Sequence, residues 1–223
     1  MNLQNIIITK ADIKKQLGCN DDYAYTVLNR LEKQGKIKKI TKGRYTTSND
    51  TYTIATNIHT PSYISYWTAS YLKGYTEQII NTIQIATTKN QRKINFQKYN
   101  ITFHKQRKQE FFGFEKQKTK NGHIFIADDE KLLIDSILRT DLLGNIDEVI
   151  KIIKNAEINE EKLIHYLKKI NKKSLNKKIG FLMEIYKNRD LSEKIDHKDK
   201  NYTHLTTKTT KTNKKWMVKH DLD

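Results

Sequence analysis

One polar face of a helix-length segment near the start of the chain, together with the basic turn that follows it, carries side chains suited to contacting nucleic acid. Amide, hydroxyl and basic groups at helical spacing can hydrogen-bond to base edges and contact phosphates. The residues that supply these groups are Tyr25, Thr26, Asn29, Arg30, Lys33, Lys42 and Arg44. We expect the helical residues to meet the major groove of DNA, and Lys42 and Arg44 to reach the adjacent backbone or minor groove.

The sequence offers no set of residues that we can assign to catalysis. It has neither a Gly-rich phosphate loop nor a nucleophile elbow. The seven His residues are scattered, and Cys19 is the only cysteine, so neither a metal site nor an internal disulfide is expected. Asp128, Asp129, Glu130 and Asp135 lie early in a predicted helix, where capping and surface roles are expected. We therefore predict a protein that is not an enzyme, with no catalytic residues, metal or cofactor.

Two helices must position the candidate DNA contacts. The first is predicted to open at Thr9, with Asp12 completing an approximate capping box, and to end at Gly18. Asn20 or Asp21 then caps a second helix that continues to about residue 34. Its apolar stripe lies opposite the polar face and consists of Ala24, Val27, Leu28 and Leu31.

A β-hairpin is predicted after the second helix. Lys36–Ile40 mixes basic and apolar residues as a half-buried strand does, Lys42-Gly43 supplies a turn, and Arg44-Tyr45 begins the return strand. The segment Asn5–Thr9 predicts a short strand that pairs with this hairpin. Residues 1–57 are thus expected to form a winged helix-turn-helix domain that lacks the helix commonly found before the first strand.

The charge of the chain supports contact with a polyanion. The 223 residues carry a formal net charge of +17, which favours nucleic acid first and an anionic membrane surface second. The alternative is a basic composition without a functional role, since Lys, Ile and Asn are all abundant. Asp21 and Asp22 repel phosphate, so readout is expected further along the helix. Winged helices also serve as protein-interaction folds, and that alternative stays open.

Residues 58–190 are predicted to form a second domain with a small antiparallel or mixed sheet and a C-terminal helical bundle. After a polar linker at residues 46–58 with room for one short helix or strand, a helix is expected to start at Thr60-Pro61 and end at Gly74. Five strands follow, with a hairpin turn at Lys120-Asn121-Gly122. They are predicted at Thr82–Thr87, Lys93–Gln97, Tyr99–Lys105, Phe111–Lys116 and His123–Ile126. The overall fold class is therefore predicted to be α+β.

Four amphipathic helices are predicted between Asp128 and Tyr186. Residues 191–223 are expected to form a basic polar tail. Its Thr- and Lys-rich run Thr203–Lys215 has the composition of a disordered segment, while Trp216–Val218 predicts a short closing strand or an anchor. Basic residues alternate with aromatics over Lys89–Lys120, which is compatible with a half-buried sheet or with a surface for nucleic acid.

The chain resembles the AbiEi-type antitoxins of type IV, or abortive-infection, toxin–antitoxin systems over nearly its full length. The segments that carry this resemblance are LNRLEKQGKIKKITKGRY, PSYISYWTASYLKGYTEQIINTIQIATTK, the FFGF at Phe111–Phe114, IADDEKLLIDSI and KKWMV. The second of these segments is more specific than the first, which many winged helices share. The missing first helix, the acidic pair Asp21-Asp22 and the Thr/Lys-rich tail depart from the family.

The resemblance implies a DNA-binding autorepressor that recognises repeats in its own promoter and acts as an antitoxin. Its functional partner would be a nucleotidyltransferase-like toxin encoded alongside, and a stable complex between the two is not required. The absence of an apolar run of about 18 residues and of a signal peptide predicts a cytoplasmic protein without a membrane partner. The alternatives are a stand-alone winged-helix regulator with a ligand-sensing or oligomerisation domain, and an enzyme that acts on nucleic acid.

Overall fold

The computed structural model describes residues 5–120 and 122–222 and confirms an α+β fold. The chain divides into two compact units. Unit 1 combines the residues up to Ile64 with Asn81–Gln106 and Lys116–Phe125. Unit 2 combines Ser65–Ile80 and Arg107–Glu115 with the residues from Ile126 onward. The boundary expected between residues 57 and 58 therefore falls inside unit 1, because segments distant in sequence complete this unit.

The two predicted N-terminal helices are present as α1 (Lys10–Leu17) and α2 (Asp21–Lys33). Thr9 caps α1 through the predicted capping box, in which an Asp12 carboxylate oxygen accepts the Thr9 backbone N–H at 2.7 Å. Gly18 ends the helix at φ 60°, in the left-handed region that glycine adopts at little steric cost. The Asn20 side chain caps α2 by accepting the Tyr23 N–H at 2.9 Å.

The predicted hairpin is also present, as β1 (Lys38–Thr41) and β2 (Arg44–Thr46) in antiparallel pairing. The strand expected at residues 5–9 is reduced to one antiparallel bridge, in which Ile8 and Tyr45 exchange backbone hydrogen bonds of 2.8 and 2.9 Å. These elements enclose one apolar cluster. Its buried members are Ile8, Ile13, Ala24, Val27, Leu28, Ile37 and Tyr45.

A mixed six-stranded sheet follows, and most of it belongs to unit 1. Its strands are β3 (Ser62–Ile64), β4 (Thr82–Thr87), β5 (Ile94–Phe96), β6 (Tyr99–Lys105), β7 (Phe114–Thr119) and β8 (Gly122–Ala127). Their spatial order is β5-β6-β4-β3-β8-β7, with β4 and β6 parallel and both β3/β4 and β5/β6 antiparallel. The central residue of the predicted hairpin turn, Asn121, lies outside the described residues. A short helix, α3 (Thr51–Asn57), precedes the sheet.

The prediction that a helix starts at Thr60-Pro61 is wrong. The Thr60–Pro61 peptide is cis, and Ser62–Ile64 forms strand β3 instead. Tyr63 and Ile64 are fully buried and pair with β4, so packing in the sheet outweighs the local helix signal. Proline directly before a strand removes no ladder hydrogen bond from it. The helix of this region, α4, covers only Tyr66–Leu72.

Unit 2 contains the four predicted helices. They are α5 (Asp129–Leu138), α6 (Ile146–Asn155), α7 (Glu160–Ile170) and α8 (Lys173–Lys187). Side chains of Asp128, Asn145 and Asn159 cap the first three by accepting backbone N–H groups. Buried Leu, Ile and Val side chains from all four helices form the core of this unit.

The prediction of disorder for Thr203–Lys215 is also wrong. Three short strands, β9 (Thr203–His204), β10 (Lys211–Asn213) and β11 (Val218–His220), form a sheet in the order β10-β11-β9. Composition alone underestimates the order of this segment, because a few apolar residues hold it in place: Leu205, Trp216 and Val218 are all buried. The closing strand predicted near Trp216–Val218 is present two residues later.

Candidate nucleic-acid interface

The predicted DNA-contacting residues of α2 share one solvent-facing side of that helix. At about 100° per residue, the positions from Tyr25 to Arg30 span an arc of about 140°, with Asn29, Lys33 and Thr26 between them. Tyr25 is 59% exposed, and Asn29 is half-buried. The Thr26 hydroxyl donates to the Asp22 carbonyl oxygen at 2.9 Å, which leaves its oxygen able to accept. This face therefore presents an amide, a hydroxyl and cations to solvent together.

The first turn of α2 is less repulsive toward phosphate than its sequence suggests. Lys10 and Lys14 of α1 both form ion pairs with the Asp21 carboxylate. Hydrogen bonds from these two lysines hold the pKa of Asp21 at about 2. The negative charge of Asp21 is thus matched by two local cations, whereas Asp22 stays exposed without an ion-pair partner among the described residues. This pairing is not visible in the sequence, because it depends on how α1 packs against α2.

The two predicted hairpin residues differ in their surroundings. Lys42 lies at the tip between β1 and β2 and is exposed, with no ion-pair or hydrogen-bond partner in the described parts of the chain. Arg44 is half-buried, and its guanidinium donates to the Ile58 carbonyl oxygen. Lys42 is therefore available to a ligand, while Arg44 is held within unit 1.

Positive charge is concentrated in unit 1. This unit carries 18 Lys or Arg residues against five Asp or Glu, a net charge of +13, whereas unit 2 carries 24 against 20, a net charge of +4. The segments 81–106 and 116–125 contain eight basic residues and no acidic residue. The excess charge therefore belongs to the unit that contains α2 and the β1–β2 hairpin.

The chain has further exposed cations outside the predicted set. Lys36 and Lys39 are exposed on either side of Lys38, whose ammonium donates to Asn49. In the sheet, the aromatics of the Lys89–Lys120 segment are buried or half-buried, while its basic residues are exposed. This is the burial expected of a half-buried sheet, and it leaves the cations directed to solvent.

Two acidic residues of α5, Glu130 and Asp135, are buried, which corrects the expectation of surface charges at these two positions. Glu130 is 2% exposed, and Asp135 is fully buried. Asp135 pairs with the fully buried Lys131 and accepts the Ser65 hydroxyl at 2.7 Å, while Glu130 accepts the Asn159 backbone N–H at 2.7 Å. Because each of these carboxylates has partners within unit 2, the cluster has the character of a structural network.

The two carboxylates next to this network are also engaged. The Tyr166 hydroxyl donates to Asp128 at 2.8 Å, and the Tyr75 hydroxyl donates to Asp129 at 2.9 Å. Burial, and then the hydrogen bond to its carboxylate partner, raise the pKa of each tyrosine. Both hydroxyls therefore remain protonated donors at neutral pH.

The described parts of the chain contain neither a candidate metal cluster nor a candidate membrane span. No group of three or more His, Cys, Asp or Glu side chains there could hold a metal ion. Within the same residues, no helix is both long enough and apolar enough to cross a bilayer.

Comparison with known proteins places the chain by fold alone. No protein-family model matches it, and no curated protein matches it. The crystal structure of the RV2827C protein from Mycobacterium tuberculosis is similar to it, with a TM-score of 0.65 and 12% sequence identity. The match covers 99% of this chain and 88% of that one. At this identity the likeness extends to the α+β architecture and carries no function with it.

Proposed function

We propose that this chain is a DNA-binding autorepressor and antitoxin of the AbiEi type, without enzymatic activity of its own. The observation that carries the DNA-binding part is the exposed face of α2 in a unit of net charge +13, whose β1–β2 tip presents Lys42 without an ion-pair partner among the described residues. Neutralising phosphates releases counterions from DNA, so such a surface gains affinity for a duplex.

The N-terminal elements would act as a winged helix-turn-helix. In this arrangement α2 enters the major groove, where Asn29 hydrogen-bonds a base edge and Lys33 contacts phosphate. The β1–β2 hairpin is the wing, and Lys42 at its tip reaches the adjacent backbone or minor groove. The bridge between Ile8 and Tyr45 supports this assignment because it fixes the wing against the chain that enters α1.

The antitoxin part of the proposal depends on the resemblance of the sequence segments. Two of them, FFGF at Phe111–Phe114 and IADDEKLLIDSI, meet in unit 2: a Cβ atom at Gly113 would lie 2.9 Å from the Lys131 Cβ. The partner would be a nucleotidyltransferase-like toxin from a neighbouring gene. The protein would act in the cytoplasm and without a stable complex.

The decisive measurement is a fluorescence-anisotropy titration with DNA from immediately upstream of the gene and with a scrambled duplex. The upstream duplex should bind about a hundredfold or more tightly at near-physiological salt, where non-specific binding fades. Asn29→Ala should cost about 1–3 kcal/mol on the upstream duplex alone. Lys42→Ala should weaken both duplexes and reduce the salt slope by about 0.9.

Lys168→Ala, an exposed lysine of unit 2, is the matched control and should change neither quantity. Equal and salt-sensitive binding of both duplexes by the unaltered protein would reduce the proposal to a generic attraction for polyanions. The antitoxin role would then be the whole function.

Repression and protection from the toxin are best separated by substitution. Thr53 contacts Thr119 at 3.0 Å, and the Asn57 amide donates to the His123 carbonyl at 3.0 Å, so deleting residues 1–57 would damage the sheet as well. The double variant Asn29→Ala/Lys42→Ala should lose repression while still protecting cells that express the neighbouring toxin. Loss of protection by this variant, with unchanged expression and thermal stability, would contradict that separation.

One observation favours the alternative of a stand-alone regulator that senses a ligand. Unit 2 has an open cleft of about 1230 Å³ lined by residues that include Lys154, Lys178, Tyr186, His204 and Thr206. Lys178 has no ion-pair or hydrogen-bond partner among the described residues, and burial, followed by the nearby Lys172, lowers its pKa. A small anion bound beside Lys178 would offset the cost of burying its charged ammonium. The test is to add phosphate and carboxylate compounds at millimolar concentration and to measure affinity for the upstream duplex. A compound that changes this affinity in the unaltered protein, but not in Lys178→Met, would support ligand sensing.

A further inference from the structure

The β5–β6 hairpin presents a polar face to solvent at one edge of the six-stranded sheet. Ile94 pairs with Ile101 and Asn95 pairs with Asn100 across its two strands. Ile94 and Ile101 are buried, whereas Asn95 and Asn100 are exposed. Lys93, which directly precedes β5, is exposed as well. The hairpin therefore presents amides, together with a cation at the start of β5, to solvent.

The turn of this hairpin is fixed to the loop that follows the wing. Gln97, at φ 53°, occupies a left-handed conformation that glycine or asparagine adopts more readily. Its side-chain oxygen accepts the Thr51 hydroxyl at 3.0 Å, and its amide nitrogen donates to the Asn49 carbonyl at 3.4 Å. Asn49 in turn accepts a hydrogen bond from Lys38 of β1. These contacts tie the tip of the β5–β6 hairpin to the wing within unit 1.

Strand β1 also lies against β5, so the two hairpins are neighbours along their strands as well. Together, the packing and the side-chain hydrogen bonds hold Lys39 of the wing and the exposed face of the β5–β6 hairpin in one region of unit 1. A ligand long enough to extend beyond the wing would therefore meet this face.

The cations of the hairpin are not neutralised by the protein. Arg92, Lys93 and Lys98 are exposed, and none of them forms an ion pair within the described residues. The Lys98 ammonium lies 5.3 Å from the centroid of the Tyr99 ring, a contact that leaves its charge intact. Segments 81–106 and 116–125, which supply most of the sheet, contain no acidic residue. Because no carboxylate of the described residues pairs with them, these exposed cations are available to an external anion.

We infer that the β5–β6 hairpin is a second phosphate-contacting element of the DNA interface, placed beside the wing, with Arg92, Lys93 and Lys98 on the backbone of the duplex. This inference rests on the proposed DNA-binding function and extends its surface beyond the winged helix. Asn95 and Asn100 add neutral donors that can hydrogen-bond phosphate or sugar oxygens. Backbone contacts position the duplex and carry no sequence information, so this element should raise affinity for every sequence equally.

The test compares three triple variants in the anisotropy assay over 50–300 mM salt with the upstream and scrambled duplexes. The first is Arg92→Ala/Lys93→Ala/Lys98→Ala. The control, Lys168→Ala/Lys200→Ala/Lys208→Ala, removes the same number of charges from exposed positions of unit 2. The third, Arg92→Lys/Lys93→Arg/Lys98→Arg, keeps the charge. Hydroxyl-radical footprinting of the upstream duplex then maps the lost contacts.

The hairpin variant should reduce the slope of log affinity against log salt by about 2–3, since each phosphate contact contributes about 0.9. The loss should be equal on both duplexes, and protection should disappear at one edge of the footprint only. The control and the charge-conserving variant should keep the original slope. All three variants change exposed side chains, and an unaltered melting temperature establishes that each one folds.

The outcomes separate the two proposals. If the unaltered protein does not bind duplex DNA, both the proposed function and the hairpin inference fail. If it binds the upstream duplex specifically and the hairpin variant keeps its slope and footprint, the hairpin inference alone is overturned. A slope that falls equally in the hairpin variant and the unit 2 control also overturns it, because the effect would then be one of net charge.

Discussion

Replacing Asp135 tests whether the buried charge network of unit 2 is structural. The Lys131–Asp135 ion pair joins two side chains that are each 0% exposed. Asp135→Ala removes the ion-pair partner of a buried ammonium, and a charge left uncompensated in this way typically costs about 3–5 kcal/mol. The Ser65 hydroxyl, which donates to Asp135 at 2.7 Å, also loses that acceptor, so the effect should fall in the upper part of this range.

The chain provides a matched control in the same unit. Asp141 forms a pair with Arg139 in which the two side chains are 43% and 64% exposed, Arg139 being the less exposed. Asp141→Ala should therefore lower the free energy of unfolding by no more than about 1 kcal/mol. The double variant Lys131→Met/Asp135→Leu should recover most of the loss seen in Asp135→Ala, because it removes both charges and fills the space with apolar groups.

Urea unfolding followed by tryptophan fluorescence measures this difference. Both tryptophans of the chain, Trp67 and Trp216, belong to unit 2, so the signal reports on the unit that contains the network. Equal losses for Asp135→Ala and Asp141→Ala would refute the reasoning, as would a double variant no more stable than Asp135→Ala. Either result would mean that the Lys131–Asp135 pair is hydrated and contributes as a surface pair does.

Three further substitutions test other parts of the structure. A Cβ at Gly180 would lie 2.1 Å from Cζ3 of the fully buried Trp216. Gly180→Ala should therefore displace that ring, cost about 1–3 kcal/mol of stability and shift tryptophan emission to the red. Unchanged emission would contradict the packing of Trp216 against Gly180. Gly113 has φ 72°, and a Cβ added there would lie 2.9 Å from the Tyr166 ring. Gly113→Ala should therefore lower the free energy of unfolding by a similar amount, which a lower urea midpoint would show. Burial and then nearby Lys211 lower the pKa of His220, so the unfolded chain binds a proton at this residue more readily than the folded chain does. The free energy of unfolding should therefore fall as the pH drops through about 6.5. In melting curves His220→Gln should weaken this pH dependence, and an unchanged pH profile would contradict the assignment to His220.

The parts of the fold that local signals specify were predictable from the sequence. Caps at Thr9, Asn20 and Asn159 depend on side chains three residues from their partners, so the starts of α1, α2 and α7 were predicted correctly. Strands β4 and β6 match their predicted bounds because polar and apolar residue types alternate along these segments of the sequence. The residues proposed for DNA contact on α2 lie on one face for the same reason: helical spacing alone determines which side chains share a side.

Local signals failed where distant residues decide the conformation. The residues after Pro61 carry a helix signal, yet Ser62–Ile64 is a strand because β4 provides a buried partner. The C-terminal segment has a disordered composition, yet it folds because Trp216 and Val218 are buried in unit 2. In both cases the free energy comes from burial and pairing with residues far along the chain, which a window of sequence does not contain.

The sequence by itself determined the excess of positive charge, the periodicity of α2 and the types of side chain on its exposed face. Only the tertiary structure decided how those charges are paired: Lys10 and Lys14 form ion pairs with Asp21, Arg44 is held by the Ile58 carbonyl, and Lys42 has no ion-pair partner among the described residues. It also placed strand β5 against strand β1 of the β1–β2 hairpin. The physical reason is that ion pairing and exposure depend on distances of a few ångströms between residues that belong to different elements of the chain, and packing alone sets those distances.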